Sequence, residues 1–314
     1  MKIQILLAIV IMIVITALCI FVYQYFTQTE NNEIQNESIN FSTEPIFTLE
    51  NYPKVDASLA TQPLATAFVK NFTGEEEITD EELDYTNTHP GYIRLIDGEV
   101  DLIVVTEPSE DELKYAEEKN VELEVIPVVR EGFVFYVNYQ NPVNNLSIEQ
   151  IQNIYTGDIK NWSEVGGNND MIRPFQRPAN SGSQTGMLSL VMKDKEIMEP
   201  IKEDLVDTMQ AIINLVSDYD NGLNSIGYSY YYYATTMFET IDKTVSDRIK
   251  LLSINGIMPT NDTIKNEEYP LNTSYYIVIR KDESQDSNTR KLVEAMLSER
   301  GQAVAEEEGY VGVK

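Results

Sequence analysis

The chain has few of the residues from which most catalytic and metal centres are made. Among 314 residues there is one cysteine, Cys19, and one histidine, His89. Cys19 sits within the N-terminal apolar run, so the folding part has no thiol pair for a disulfide and no thiolate cluster for zinc. A lone histidine excludes a multi-histidine metal centre, and a Ser-His-Asp arrangement could run only through that residue. Positive charge is also scarce. Lys and Arg number 23 against 51 Asp and Glu, for a formal net charge of -28. Such a surface repels polyanions, which argues against nucleic acid or anionic lipid as the partner. A small anionic ligand would gain no long-range attraction either, so an anion site has to be built locally, largely from backbone. There is no G-x-x-x-x-G-K-[ST] loop, and the GSQTG stretch at 182–186 is not a G-x-S-x-G nucleophile elbow. No internal repeat is visible, and nothing in the sequence asks for a cofactor.

One long apolar run is present, at residues 5–22, after Lys2 and before Tyr23, Tyr25 and Phe26. About 18 apolar residues with an aromatic edge fit a bilayer span. The expectation is an uncleaved anchor with the rest of the chain on the outer face. Lipoprotein processing at Cys19, here preceded by Leu18, and a cleaved signal peptide are the alternatives. Residues 27–43 are polar and rich in Asn and Glu, which predicts a flexible tether up to about residue 45. Beyond it, apolar runs near 55, 100–105, 121–129, 132–137, 225–230, 249–254 and 275–279 alternate with helical patterns. This order predicts an α/β protein with mainly parallel sheets. The tyrosine-rich run at 228–233 is expected to pack between lobes.

Four segments offer chemistry. Residues 172–187, IRPFQRPANSGSQTGM, place Arg177 ahead of Ser181, Gly182 and Ser183 at a helix start. Free backbone N–H groups and the helix dipole favour an anion there, and arginine adds a planar fork of donors. The plainer reading is an ordinary N-cap beside a surface arginine. Residues 55–63 run into a helix with Pro63 in its first turn, and carry Ser58, Thr61 and Gln62. Thr88 and His89 open a further helix, where the imidazole could donate to an oxyanion or simply cap. Glu107 follows a strand directly, at the carboxyl end where α/β proteins place ligands. A carboxylate repels a fully deprotonated anion but accepts a hydrogen bond from one that keeps a proton. Arg177 and Glu107 in one pocket would therefore select hydrogen phosphate over sulfate. Otherwise Glu107 is a solvated member of the acidic run 107–112.

Taken in order, the pieces ASLATQPLA (57–65), THPGYIRLIDGEVDLIVVTEPS (88–109), FVFYVNYQNPVNNLSIEQIQNIYTGDIKNWSEVGG (133–167), QRPANSGSQT (176–185), SIGYS (225–229) and GQAVAEEEGYVGV (301–313) resemble the extracytoplasmic phosphate-binding proteins of ABC-type phosphate importers. The resemblance implies a two-lobed, type II periplasmic-binding-protein-like α/β fold with the ligand cleft between lobes; the apolar run at 5–22 adds one N-terminal transmembrane helix before it, and departs from the family in lacking a clear lipoprotein signal. Lobe I would be residues 46–137 and 270–314 and lobe II residues 138–269, with crossings near 136–141 and 270–279. It implies a non-enzymatic, monomeric receptor on the outer face of a bacterial, Gram-positive cell membrane, with inorganic phosphate as ligand, permease subunits as partners and no cofactor or metal. Carried over residue by residue, the implied ligand set is Ser58, Thr61, Gln62, Thr88 or His89, Glu107, Arg177, Ser181, Gly182 and Ser183. Glu107 stands where the family has aspartate, and Gln62 where an aromatic or aliphatic residue is common. A tethered oxyanion sensor on the same fold, without transport, is the alternative function.

Overall fold

A computed structural model describes residues 44–218 and 222–314. The expected anchor, Cys19 and the tether lie outside the described residues. No helix among the described residues is long and apolar enough to cross a membrane.

Among the described residues ten strands carry the fold: β1 (Val55–Ala57), β2 (Leu102–Val105), β3 (Leu123–Asn138), β4 (Asn145–Leu146), β5 (Arg173–Pro174), β6 (Ser225–Tyr230), β7 (Ile249–Leu251), β8 (Ser253–Ile254), β9 (Asn272–Arg280) and β10 (Val311–Gly312). Eight of them form one continuous sheet in the order β1-β2-β9-β3-β6-β5, with β7 and β10 also pairing to β3; β4 and β8 form a separate pair. β3 organises this arrangement. Its 16 residues change character partway: residues 123–127 are at most half-buried, whereas 132–138 are buried throughout. The first part pairs antiparallel with β9, as far as Gly132 opposite Asn272. From Phe133 onward the partner is β6, starting at Tyr230. One strand thus joins two half-sheets, and the change of partner falls at 132/133, a few residues ahead of the crossing expected at 136–141. Gly132 fits this crowded point because a Cβ there would lie 2.9 Å from Ile264 Cδ1.

The sheets are mixed rather than mainly parallel. β1–β2, β5–β6 and β4–β8 are parallel, but every strand paired with β3, and the β2–β9 pair, runs antiparallel. Strand–helix alternation predicts crossovers between neighbours. It does not show that the late strand β9 inserts between β2 and β3, which imposes the antiparallel pairs.

The cores are aromatic. Phe68 and Phe72 stack one turn apart on the Gln62–Thr73 helix (ring centroids 5.5 Å), which ends at the left-handed Gly74. In the second half-sheet Phe133, Phe135, Tyr155, Tyr228 and Tyr230 pack with ring centroids 5.5–6.1 Å apart. The 228–233 run therefore divides: Tyr228 fills this core, while Tyr232 stacks on Tyr310, beside β10, at 3.7 Å. Buried Asp56 on β1 fixes the helix Thr88–Ile96. It accepts from Thr86 N–H and Oγ1 (both 2.7 Å) and from Arg94 Nη1 (2.6 Å), which orients the Thr88–Ile96 helix on the sheet.

Candidate functional site

A cleft of about 260 Å³ opens where three strand exits and two helix starts meet. Ser58 follows β1, Thr106 follows β2, and Thr88 and His89 begin the Thr88–Ile96 helix. Facing them are Arg177, downstream of β5, the Ser181-Gly182-Ser183 turn, and Asp207. Seven of the expected residues line this cleft: Ser58, Thr88, His89, Arg177, Ser181, Gly182 and Ser183.

The turn forms for local reasons. Asn180 takes a left-handed conformation (φ 63°), which asparagine tolerates. Ser181 then caps the helix, its Oγ accepting from Gln184 N–H at 3.3 Å. The helix runs from Gly182 to Gly186 and continues as a π-helical turn, Met187–Met192. Gly182 brings the turn against the opposite wall. A Cβ there would lie 2.5 Å from Thr106 Oγ1 and 2.9 Å from Thr88 Oγ1, so only glycine permits this approach.

Arg177 is held by neutral groups. Nη1 donates to Ser183 Oγ (3.1 Å) and Nη2 to the Asp207 carbonyl (2.8 Å). Its Nε is buried without a partner, and it forms no ion pair among the described residues. Its backbone N–H is fixed by Gln184 Oε1 (3.1 Å) and Tyr228 Oη (3.0 Å). Burial pushes the guanidinium pKa below its ordinary value. A guanidinium stays charged in proteins, and a buried charge without a counterion is costly. An anion in the cleft would supply that counterion.

Three expected ligand residues do not line the cleft. Thr61 is fully buried. Its Oγ1 hydrogen-bonds the Val104 carbonyl and lies 2.9 Å from Ser58 Oγ, so it ties the Ser58 turn to β2. Gln62 is half-buried at the start of its helix and is not among the lining residues. Glu107 is half-buried and accepts from Ser189 Oγ on the π-helical turn. The reason is the alternation of side chains where β2 ends: Thr106 faces the cleft and the next residue turns away. The arrangement expected of Glu107, an acidic group inside the cleft beside Arg177, is therefore not formed by that residue.

Sequence reasoning missed Thr106, Asn87 and Asp207, all of which line the cleft. Thr106 Oγ1 is buried and has no partner. Counting the strand alternation one residue further would have found it. Asp207 carried no signal, since it lies far along the chain in an irregular segment. His89 is held from behind: its Nδ1 is 2.9 Å from Oε1 of buried Glu112, whose Oε2 accepts from Ser109 N–H at 2.7 Å. Two bonds cross the cleft mouth, Asn180 Nδ2 to Asp111 Oδ2 (3.0 Å) and Ser189 to Glu107. No cluster of His, Cys, Asp and Glu among the described residues could hold a metal ion. The cleft thus presents one unpaired guanidinium, several hydroxyls and a helix start, a donor set suited to a small oxyanion.

Residues 52–300 match the model of the PBP superfamily domain. Among named proteins, the chain is 26% identical over 217 residues to the phosphate-binding protein PstS of Bacillus subtilis, an alignment covering 69% of this chain and 66% of that protein. It is 24% identical over 266 residues to PstS of Staphylococcus aureus, covering 84% and 79%. Among solved structures, an ABC-type phosphate transport receptor from Vibrio cholerae superposes with a TM-score of 0.60 at 23% identity, covering 82% of this chain and 98% of that one. PstS from Borrelia burgdorferi gives 0.51 at 20%, covering 83% and 99%. With the family match, these superpositions show a two-lobed α/β fold for this chain.

Proposed function

This chain belongs to the PBP superfamily, and from that premise we propose that it captures inorganic phosphate outside the cytoplasmic membrane and delivers it to an ABC-type importer. The observation that carries the reading is Arg177: a half-buried guanidinium whose Nε is buried without a partner and which has no carboxylate hydrogen-bonded to it, in a cleft that also holds the unpartnered Thr106 hydroxyl. An oxyanion would satisfy both. The names of the PstS relatives support phosphate as that oxyanion. In this reading the protein binds and releases its ligand unchanged. The lobes are residues 46–132 with 271–314, and residues 133–270, closing on the ion by a hinge at the β3 partner change. Residues 5–22 anchor the receptor, residues 27–45 tether it, and permease subunits receive the phosphate.

Isothermal titration of the purified protein at neutral pH tests this. Phosphate is expected to bind at sub-millimolar concentration and sulfate at least tenfold more weakly. Absence of phosphate binding, or equal binding of sulfate, would overturn the assignment.

A further inference from the structure

Hydroxyl groups cannot tell phosphate from sulfate, because a hydroxyl rotates to donate or accept as its partner requires. A fixed acceptor can, since it faces the lone pairs of an anion that lacks hydrogen. Glu107, the expected acceptor, is bonded to Ser189. Two groups in the cleft remain. Asp207 is exposed, and no hydrogen bond among the described residues fixes its carboxylate in the cleft. His89 is better placed. Its Nδ1 sits 2.9 Å from Glu112 Oε1, on a carboxylate that is 1% exposed. Glu112 cannot swing away, because Ser109 N–H holds its other oxygen. A carboxylate only accepts, so the ring proton belongs on Nδ1. Nε2 has no protein partner among the described residues, and in the neutral ring it is a bare lone pair on a residue that lines the cleft.

The geometry points to His89 as the group that reads the hydrogen on the bound anion, with Glu112 as the positioning residue that fixes its tautomer. This rests on the phosphate reading and assigns its selectivity. Protonated phosphate donates its O–H to Nε2. Sulfate at the same place sets oxygen lone pairs against nitrogen's, and is refused. No bond is made or broken, and the hydrogen stays on the ligand.

The variant Glu112→Gln isolates the effect. Ser109 N–H keeps the amide oxygen, so the amide nitrogen is turned toward His89 Nδ1 and donates to it. The ring proton then moves to Nε2, which becomes a donor. Because His89 is the only histidine, ¹⁵N-histidine spectra of the full chain at pH 8 report this tautomer without ambiguity. We expect the wild type to carry the proton on Nδ1 and E112Q to carry it on Nε2. The phosphate-over-sulfate affinity ratio should fall at least tenfold in E112Q, mainly through tighter sulfate binding. His89→Asn, whose amide can rotate to offer N–H, should lose selectivity as well and serves if E112Q does not fold. A ratio kept within twofold in the folded variants, or a wild-type proton on Nε2, would overturn the role of His89. So would a loss of selectivity confined to Asp207→Asn. A wild type that binds neither anion would instead remove the phosphate reading on which this rests.

Discussion

Arg177 shows how much of this site depends on single side chains. It is a cation held by a serine hydroxyl and a carbonyl, with its Nε–H buried and unpartnered. Removing it should cost the ligand a charge-assisted hydrogen bond, worth about 1.5–3 kcal/mol. Arg177→Ala should therefore weaken phosphate binding by more than about tenfold in calorimetry. Arg177→Lys should recover little of it, because a point charge cannot reproduce the fork. Glu131 is the other residue whose environment forces a prediction. It is buried on β3 beside the partner change, and accepts from Gly132 N–H (2.8 Å) and Tyr232 N–H (3.3 Å). Burial pushes its pKa up to about 8, while these hydrogen bonds oppose the rise. Between the ordinary carboxyl value of 4.5 and about 8 the native state holds a proton that the unfolded chain has released. Stability should then fall as pH rises through that window and level off above it. Glu131→Gln is expected to flatten this slope and to raise the melting temperature at pH 8.5 relative to the parent. A parallel pair of stability–pH curves would refute it.

Among the elements, the Ser181–Ser183 turn is the most demanding. Its approach to Thr88 and Thr106 leaves no space for a methyl group at Gly182. Gly182→Ala should hold the walls apart and weaken phosphate at least tenfold, with little change in melting temperature, since the turn lies at the cleft and not in a core. A variant that binds normally would mean that the walls do not meet this closely in solution. This turn was legible before the fold was known, because Ser, Gly and a nearby arginine at a helix start have a direct physical meaning. The Thr61 side chain is placed away from the cleft lining that local pattern suggested. A hydroxyl before a proline-led helix looks like a ligand donor, but its bond to the Val104 carbonyl, 43 residues away, is invisible to local pattern.

Across the whole molecule, Asn180–Asp111 and Ser189–Glu107 bridge the cleft at its mouth. Such exposed bonds contribute little singly, yet under the proposed clamshell reading they would favour closure of the lobes on the ion. Asn180→Ala with Glu107→Ala should weaken phosphate and sulfate by a similar few-fold factor and leave their ratio unchanged. A changed ratio would return Glu107 to the role of selector. The charge of -28 acts at this scale too, disfavouring any anion at long range, so attraction has to be concentrated at Arg177.

The residue sequence by itself determined the α/β class of the fold, the helix starts, the turn at 181–183 with its nearby arginine, and an inventory of one thiol and one histidine. These follow from periodicity, capping and residue inventory, all of which act over a few positions. Tertiary structure alone decided that β9 lies between β2 and β3, that Thr106 rather than Glu107 faces the cleft, that Asp207 joins its wall and that Glu112 stands behind His89. Each depends on which distant segments meet and on which face of a strand end points inward. Those outcomes are set by packing across the whole chain, where a shift of one residue exchanges a cleft group for one that faces away.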